Sequence, residues 1–439
     1  MNTVTPNATE KFMPVKADRA GKDALITASK GQTLDDAIQI DMDVGSVNQR
    51  AGIAMVNDGE LQLVHLDHFP NLVAEPKEGN EDFLTSKGCK IVDGLVYGEN
   101  VLNFARYVNP LAGVIKQTQA IQTGNFGGFD KLQRQGLDRI ASKLTAMNAS
   151  NPGVFDGISR VAVVSAIPGG MSTEYEHEVT RLGLAAAQEV LAPVFGGKKP
   201  SYNIVAETNC IARGLNLKAP LAVVNFGGGT IEIAYFLGGS WNFGKVAKND
   251  VTVDWGHAGQ SIDEEVKVLL EQRFDAAGVT KSGLYLPATL ANWKHQIFSP
   301  VPNSSVQKSG LLEVTLGDGS QTYVNVKGVA QSIMRTRIND LARRFADHTA
   351  TLAFASDEER DECLAHTVVY GGTTAAAGFA EQFESALKAK LKGSAARAVK
   401  TYCAPDAMYG VLKGASVNGA DILANNKQVY AQKKAGLGL

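Results

Sequence analysis

Three glycine-containing stretches of this chain carry the residue types that suit phosphate chemistry. Two of them, "DVGS" (Asp43 to Ser46) and "NFGGGT" (Asn225 to Thr230), sit between strand-like runs. Glycine lets a backbone approach a ligand closely, and successive N–H groups round a tight turn form a concave anion site that needs no lysine. The third, "VVYGGTTAAAGF", places Gly371 and Gly372 at the end of a strand and the start of a helix, where backbone donors suit a ribose or a phosphate. No GxxxxGK[ST] loop occurs. Neither of the first two turns leads directly into a helix, as a dinucleotide fold requires. Taken singly, an ordinary hairpin turn remains the alternative for each.

Acidic residues accompany these turns. "AETNCIARG" puts Glu207 at the junction of a buried strand and a helix, where a carboxylate could orient a water; a solvated helix-end carboxylate is the other reading. "GHAGQSIDEEV" joins a small-residue turn containing Gly259 to a helix start, with Asp263 near its N-terminus. The cysteines Cys89, Cys210, Cys363 and Cys403 form no CxxC pair, so neither a disulfide framework nor a zinc site is expected, and a reducing cytoplasm fits best.

The elements that must position these residues can be read from periodicity. "AIQIDMDVGSVNQRAGIAMVNDGELQLVHL" gives two or three strands, with a tight turn at Asn57 to Gly59. A mixed region from about 69 to 157 reads as an inserted subdomain and contains a helix in "GGFDKLQRQGLDRIASKLTAM". "RVAVVSAIPGG" is a buried strand that leads to a helix capped by Ser172 or Thr173. "SYNIVAE" and "TNCIARGL" follow as strand and helix, as an α/β lobe requires. From Leu221 the plan repeats: paired strands around a glycine turn, then helices, then the strand "HTVVYGG" and the helix "TAAAGFAEQFESALKAKLK". The last helix expected is "APDAMYGVLKGASVNGADILA".

At 439 residues the chain is too long for one ordinary core, and 44% hydrophobic with 20% charged residues describes a soluble globular protein. The net charge of -2 does not ask for nucleic acid. Residues 1 to 37 read as a polar arm without a secretory pattern, and no run approaches the roughly 20 apolar residues of a membrane span. The basic stretch 386–400 is read as a solvated helix face, with an acidic partner, membrane or DNA as the alternative.

In order and spacing, these segments resemble the nucleotide-binding motifs of the actin superfamily, above all its prokaryotic filament proteins of the MreB, MamK and ParM type. "DVGS" is similar to the first phosphate loop, "AETNCIARG" to the first connecting helix and "NFGGGTIEIA" to the second phosphate loop. "GHAGQSIDEEV" resembles the turn that follows it, "VVYGGTTAAAGF" the adenosine motif, and "APDAMYGVLKGASV" the second connecting helix. The resemblance spans about 38 to 424. It implies an α/β, two-lobed fold in which each lobe is a mixed sheet flanked by helices, with ATP or ADP and Mg²⁺ between them. Lobe I would take 38–215 plus 404–425, lobe II 216–403, and 426–439 would be a tail.

Carried over by position, the resemblance implies that Asp43 lies at the metal and that Gly45, Ser46 and Val47 surround the phosphates. Gly227, Gly228, Gly229 and Thr230 would cradle them from the other lobe. Gly259, Asp263, Gly371, Gly372 and Thr373 would contact the nucleotide. Lys294 would lie beside the adenine, with Gln296 in the acidic place of the family's pair; a surface lysine is the equal alternative. Glu207 would polarise the attacking water. Asn225 departs from the pattern, because the family has aspartate there; an amide keeps the shape and loses the charge. If it limits the metal site, Asn225→Asp should raise phosphate release. Asp41 could add charge nearby, although a surface aspartate flanking the site is the plainer reading.

The function implied is an ATPase that polymerises with itself and turns over on hydrolysis to position or segregate a cargo, with a cargo adaptor as a further partner. Direct membrane or DNA contact is not indicated. The alternative is a monomeric ATPase of the same superfamily, such as a chaperone-type reactivating factor, an exopolyphosphatase or a sugar kinase.

Overall fold

The computed structural model describes residues 36–45, 48–57, 60–92, 94–104, 107–110, 127–215, 220–237, 251–254, 257–277, 311–315, 321–325, 331–376, 378–403 and 409–416. Ser46, Val47, Lys294, the arm before 36 and the tail after 416 lie outside them.

Two five-stranded sheets share one plan. The first joins β1 (Ala37–Val44), β2 (Asn48–Asn57), β3 (Glu60–Pro70), β8 (Arg160–Ile167) and β9 (Ser201–Ala206) in the order β3-β2-β1-β8-β9. The second joins β10 (Leu221–Phe226), β11 (Ile231–Phe236), β12 (Val251–Asp254), β15 (Thr367–Tyr370) and β16 (Thr401–Cys403) in the order β12-β11-β10-β15-β16. In each, an antiparallel meander is extended by two parallel strands reached through helices.

Among the described residues the helices are α1 (Glu81–Ser86), α2 (Glu99–Asn103), α3 (Gly127–Ser150), α4 (Thr173–Leu191), α5 (Glu207–Leu215), α6 (Gly259–Ala277), α7 (Gln331–Thr351), α8 (Asp357–Ala365), α9 (Phe379–Lys390) and α10 (Gly393–Ala398), with about two further helical turns at 410–416. Ser172 caps α4 by accepting from the Tyr175 N–H at 3.2 Å, and Glu174 and Glu176 lie in its first turn, where the helix dipole favours negative charge. Among the described residues no helix is long and apolar enough to cross a membrane.

Each sheet has its own core. Ile38, Ile40, Met42 and Val44 alternate on one face of β1 and pack with α3 and α4 through Leu137, Ile140 and Val179. Val224, Phe226, Ile233 and Tyr235 pack with α6, α7 and α9 through Ile262, Phe345 and Phe383. A third cluster lies between the sheets, where Val164 and Ala166 meet Val223 and Val368 around Cys210 and Ile211 of α5 and Val411 and Ala415. The two connecting helices therefore fill the space between the lobes. They cross at Gly214 and Gly414: a Cβ on Gly414 would sit 1.6 Å from the Cys210 carbonyl oxygen, so only glycine permits the approach.

The stretch 69–157 holds two things. β4 (Val73–Pro76), β5 (Ile91–Val92), β6 (Leu95–Tyr97) and β7 (Val108–Pro110) form a small sheet with α1, α2 and a separate core of Leu72, Leu84, Val96 and Val101. α3, by contrast, packs into the first lobe's own core. In the second lobe, β13 (Leu311–Thr315) and β14 (Gln321–Asn325) form a two-stranded sheet between α6 and α7 in chain order.

Candidate functional site

The site is built where the polar faces of two central strands meet between the sheets. Burying an aliphatic side chain contributes roughly 1.5–3 kcal/mol, and strands enclosed on both faces are normally apolar throughout. β1 and the β10–β11 pair break that rule at Gln39, Asp41 and Asp43, and at Asn225 and Glu232, all of them buried. Such groups are costly unless bonded.

Asn225 and Glu232 face each other across the β10–β11 register, so their side chains share a face. The Asn225 amide Nδ2 donates to Glu207 Oε2 at 2.6 Å and to Glu232 Oε2 at 2.8 Å. Glu232 Oε1 accepts from the backbone N–H of Gly169, in the turn after β8. One amide thus holds two carboxylates, and the bonds run from α5 and the first lobe to the hairpin of the second. Burial raises the pKa of Glu207 well above the usual carboxylate range, and the charges of Glu232 and Asp43 raise it further. Burial also raises Glu232, against the bonds from Gly169 and Asn225 that lower it. The pair titrates as a unit, and burial raises both carboxyls.

The glycine turn stands directly after Asn225. Gly227 N–H bonds to the Thr230 carbonyl at 2.9 Å and closes the hairpin. The Gly227 and Gly228 carbonyls accept from the N–H groups of Gly259 and Gln260 at 3.0 and 2.7 Å, which docks the N-terminus of α6 on the turn. Among the described residues, no turn or loop bond uses the N–H groups of Gly228 or Gly229, so both remain to meet an anion beside a helix N-terminus. Thr373 Oγ1 donates to the Gly227 carbonyl at 3.4 Å. Gly371, at φ 103°, lies against the end of β10, where a Cβ would come within 2.3 Å of the Phe226 oxygen. Gly372 begins a short 3-10 turn with open space around its Cα. Asp263 is buried on α6.

On the opposite strand, Asp43 forms a buried ion pair with Arg50 at 2.7 Å, its partner in the β1–β2 register. Asn71, just after β3, donates to the Gly45 carbonyl at 2.7 Å and accepts from Gln49 at 3.0 Å. The first turn is thereby tied to the base of the small sheet. Asp41 is fully buried, where a surface position was expected. It accepts from Ser416 and Gln39, and burial raises its pKa to about 7. It fastens the 410–416 helix to β1.

The structure therefore groups Glu207, Asn225, Gly227, Gly228, Gly259, Gly371 and Thr373 at one junction, with Asp43 close enough for its charge to act on both glutamates. Sequence reading missed Glu232 and Arg50. The signal for Glu232 was a glutamate amid β-branched and aromatic residues in "IEIAYF"; for Arg50 it was an opposite charge at the register position facing Asp43.

Two like-built sheets bridged by two crossing helices, with glycine turns at their junction, define an actin-like, two-lobed α/β fold. The chain is similar to a MamK double helical filament at 15% identity, over 87% of this chain and 98% of that one, with a TM-score of 0.58. It is also similar to a non-polymerising MamK mutant bound to AMPPNP, at 17% identity over 88% and 99%, with a TM-score of 0.51. No protein-family model and no curated protein sequence matches the chain.

Proposed function

We propose that this chain is an actin-like ATPase that binds ATP with Mg²⁺ between its lobes and assembles into filaments whose turnover follows hydrolysis. The observation that carries this reading is the junction itself: the N–H groups of Gly228 and Gly229 stand unspent among the described residues, beside a buried Glu207–Asn225–Glu232 cluster that ties one lobe to the other. The likeness to a MamK filament and to MamK bound to AMPPNP supports it.

In this reading the turns at Gly45 and Gly227–Thr230 hold the phosphates, and Gly371, Gly372 and Thr373 bound the nucleoside. Mg²⁺ is a hard cation that suits carboxylate and amide oxygens and keeps several waters, and Asp43, Glu207, Glu232 and Asn225 form a donor set of that kind. Bound there, it would neutralise charge on the phosphates. Glu207 orients the attacking water once its proton has left. Asn225 and Glu232 hold it in place, and catalysis rests on positioning. The filaments would act in the cytoplasm to position or segregate a cargo through an adaptor.

Nucleotide binding and phosphate release by wild type and Glu207→Gln test this. The variant should bind ATP as tightly as wild type and release phosphate at least about a hundredfold more slowly. Equal rates would remove Glu207 from its role, and failure of wild type to bind ATP would overturn the reading.

A further inference from the structure

A cavity of about 650 Å³ lies between the small sheet, the outer strand β3 and one face of α3. Its size falls within the range of small-molecule sites. α3 supplies residues at helical spacing from Arg134 to Ala146, β3 supplies His65 and Asp67, and the small subdomain supplies Lys90, Val92, Tyr97 and Glu99.

The cavity is built and held. Arg139 forks onto Asp67 at 2.7 and 3.1 Å, reaches Glu99 at 3.0 Å, and lies 4.4 Å from the centre of the Phe69 ring. These bonds join β3, α2 and α3, and the single guanidinium charge is shared between the two carboxylates. Lys90, from the small subdomain, and Lys143, from α3, both line the space, and neither forms an ion pair among the described residues. Gln135 also lines the cavity. It is 8% exposed, and its Oε1 has no hydrogen-bond partner. A buried amide oxygen without a donor costs about 1–3 kcal/mol, and a ligand that brings a donor would recover it.

We propose that this cavity binds a small organic anion that also carries a hydroxyl or amide donor, with its anionic groups between Lys90 and Lys143 and its donor on Gln135 Oε1. Val92, Tyr97 and Ala146 provide apolar wall for a carbon skeleton. Because the two lysines belong to different subdomains, the ligand clamps the small sheet onto the body of the first lobe. This site is independent of the nucleotide reading.

Citrate, a tricarboxylate with one hydroxyl, is the probe. Titration calorimetry on the full chain, with inorganic sulfate as the comparison anion, should show one saturable citrate site per chain at millimolar concentration or below. Lys90→Ala and Lys143→Ala, both surface changes that leave the fold intact, should each weaken it about tenfold or more, the worth of one charge-assisted bond. Amide exchange in β5 and β6 should slow with citrate in wild type and not in Lys143→Ala. No saturable citrate binding, binding that both lysine variants leave unchanged, or equal binding of sulfate would each overturn the proposal.

Discussion

Replacing Asn225 with aspartate tests the central cluster most sharply. In the structure the Asn225 amide is the donor that lies between Glu207 Oε2 and Glu232 Oε2, at 2.6 and 2.8 Å. Asn225→Asp removes both donated bonds and sets a third carboxylate against two that are already hard to ionise. Each bond to a charged group is worth about 1.5–3 kcal/mol. Protonation of one carboxylate would restore part of this, leaving a net loss of roughly 3 kcal/mol. For lobes of this size that lowers Tm by roughly 6–12 °C. A divalent cation should reverse the effect, because three carboxylates around one point favour metal over proton. Thermal unfolding in EDTA and in excess Mg²⁺ reads both terms. The variant should be markedly less stable than wild type in EDTA and should gain more than wild type from Mg²⁺. Phosphate release then rises only where Mg²⁺ is saturating. An unchanged Tm in EDTA, or a loss that Mg²⁺ does not recover, would refute the reasoning.

Other sites give independent outcomes. Gly414→Val forces side-chain atoms onto the Cys210 carbonyl, 1.6 Å from an ideal Cβ, so the connecting helices must part; thermal unfolding should show a loss above about 3 kcal/mol or no soluble protein. Gly372→Ala meets nothing within 4 Å; Tm should stay within about 2 °C of wild type while nucleotide affinity falls if that turn bounds the nucleoside, read by fluorescence titration. Asp41 has a folded-state pKa of about 7 against 3.8. Its carboxyl therefore supports the fold fully below about pH 4, and that support is lost as pH rises to about 7, on the order of 4 kcal/mol in all. Asp41→Asn keeps an acceptor for Ser416 and Gln39 and should flatten the fall in Tm across that window.

Much of the architecture was legible because it rests on local rules. The alternation in "AIQIDMDV", the glycine turn after Asn225 and the Ser172 cap each state a strand, a hairpin or a helix start in adjacent residues. What escaped depends on partners distant in the chain. Asp41 read as a surface residue because its partner Ser416 lies 375 positions away. Glu232 was missed because the first lobe covers its face of the strand and Gly169, 63 positions away, bonds to it. The need for glycine at 414 appears only when α5 is laid across it. Sequence reading treated Asn225 as a weakened metal ligand; the structure gives it a bonding role between two glutamates, which only the fold brings within reach of one amide.

Electron microscopy of the full chain with Mg²⁺ and a slowly hydrolysed ATP analogue, beside the same protein in EDTA without nucleotide, tests the account most directly. The account predicts filaments in the first sample and dispersed particles in the second. Dispersed particles in both, with the analogue shown to be bound, would contradict it.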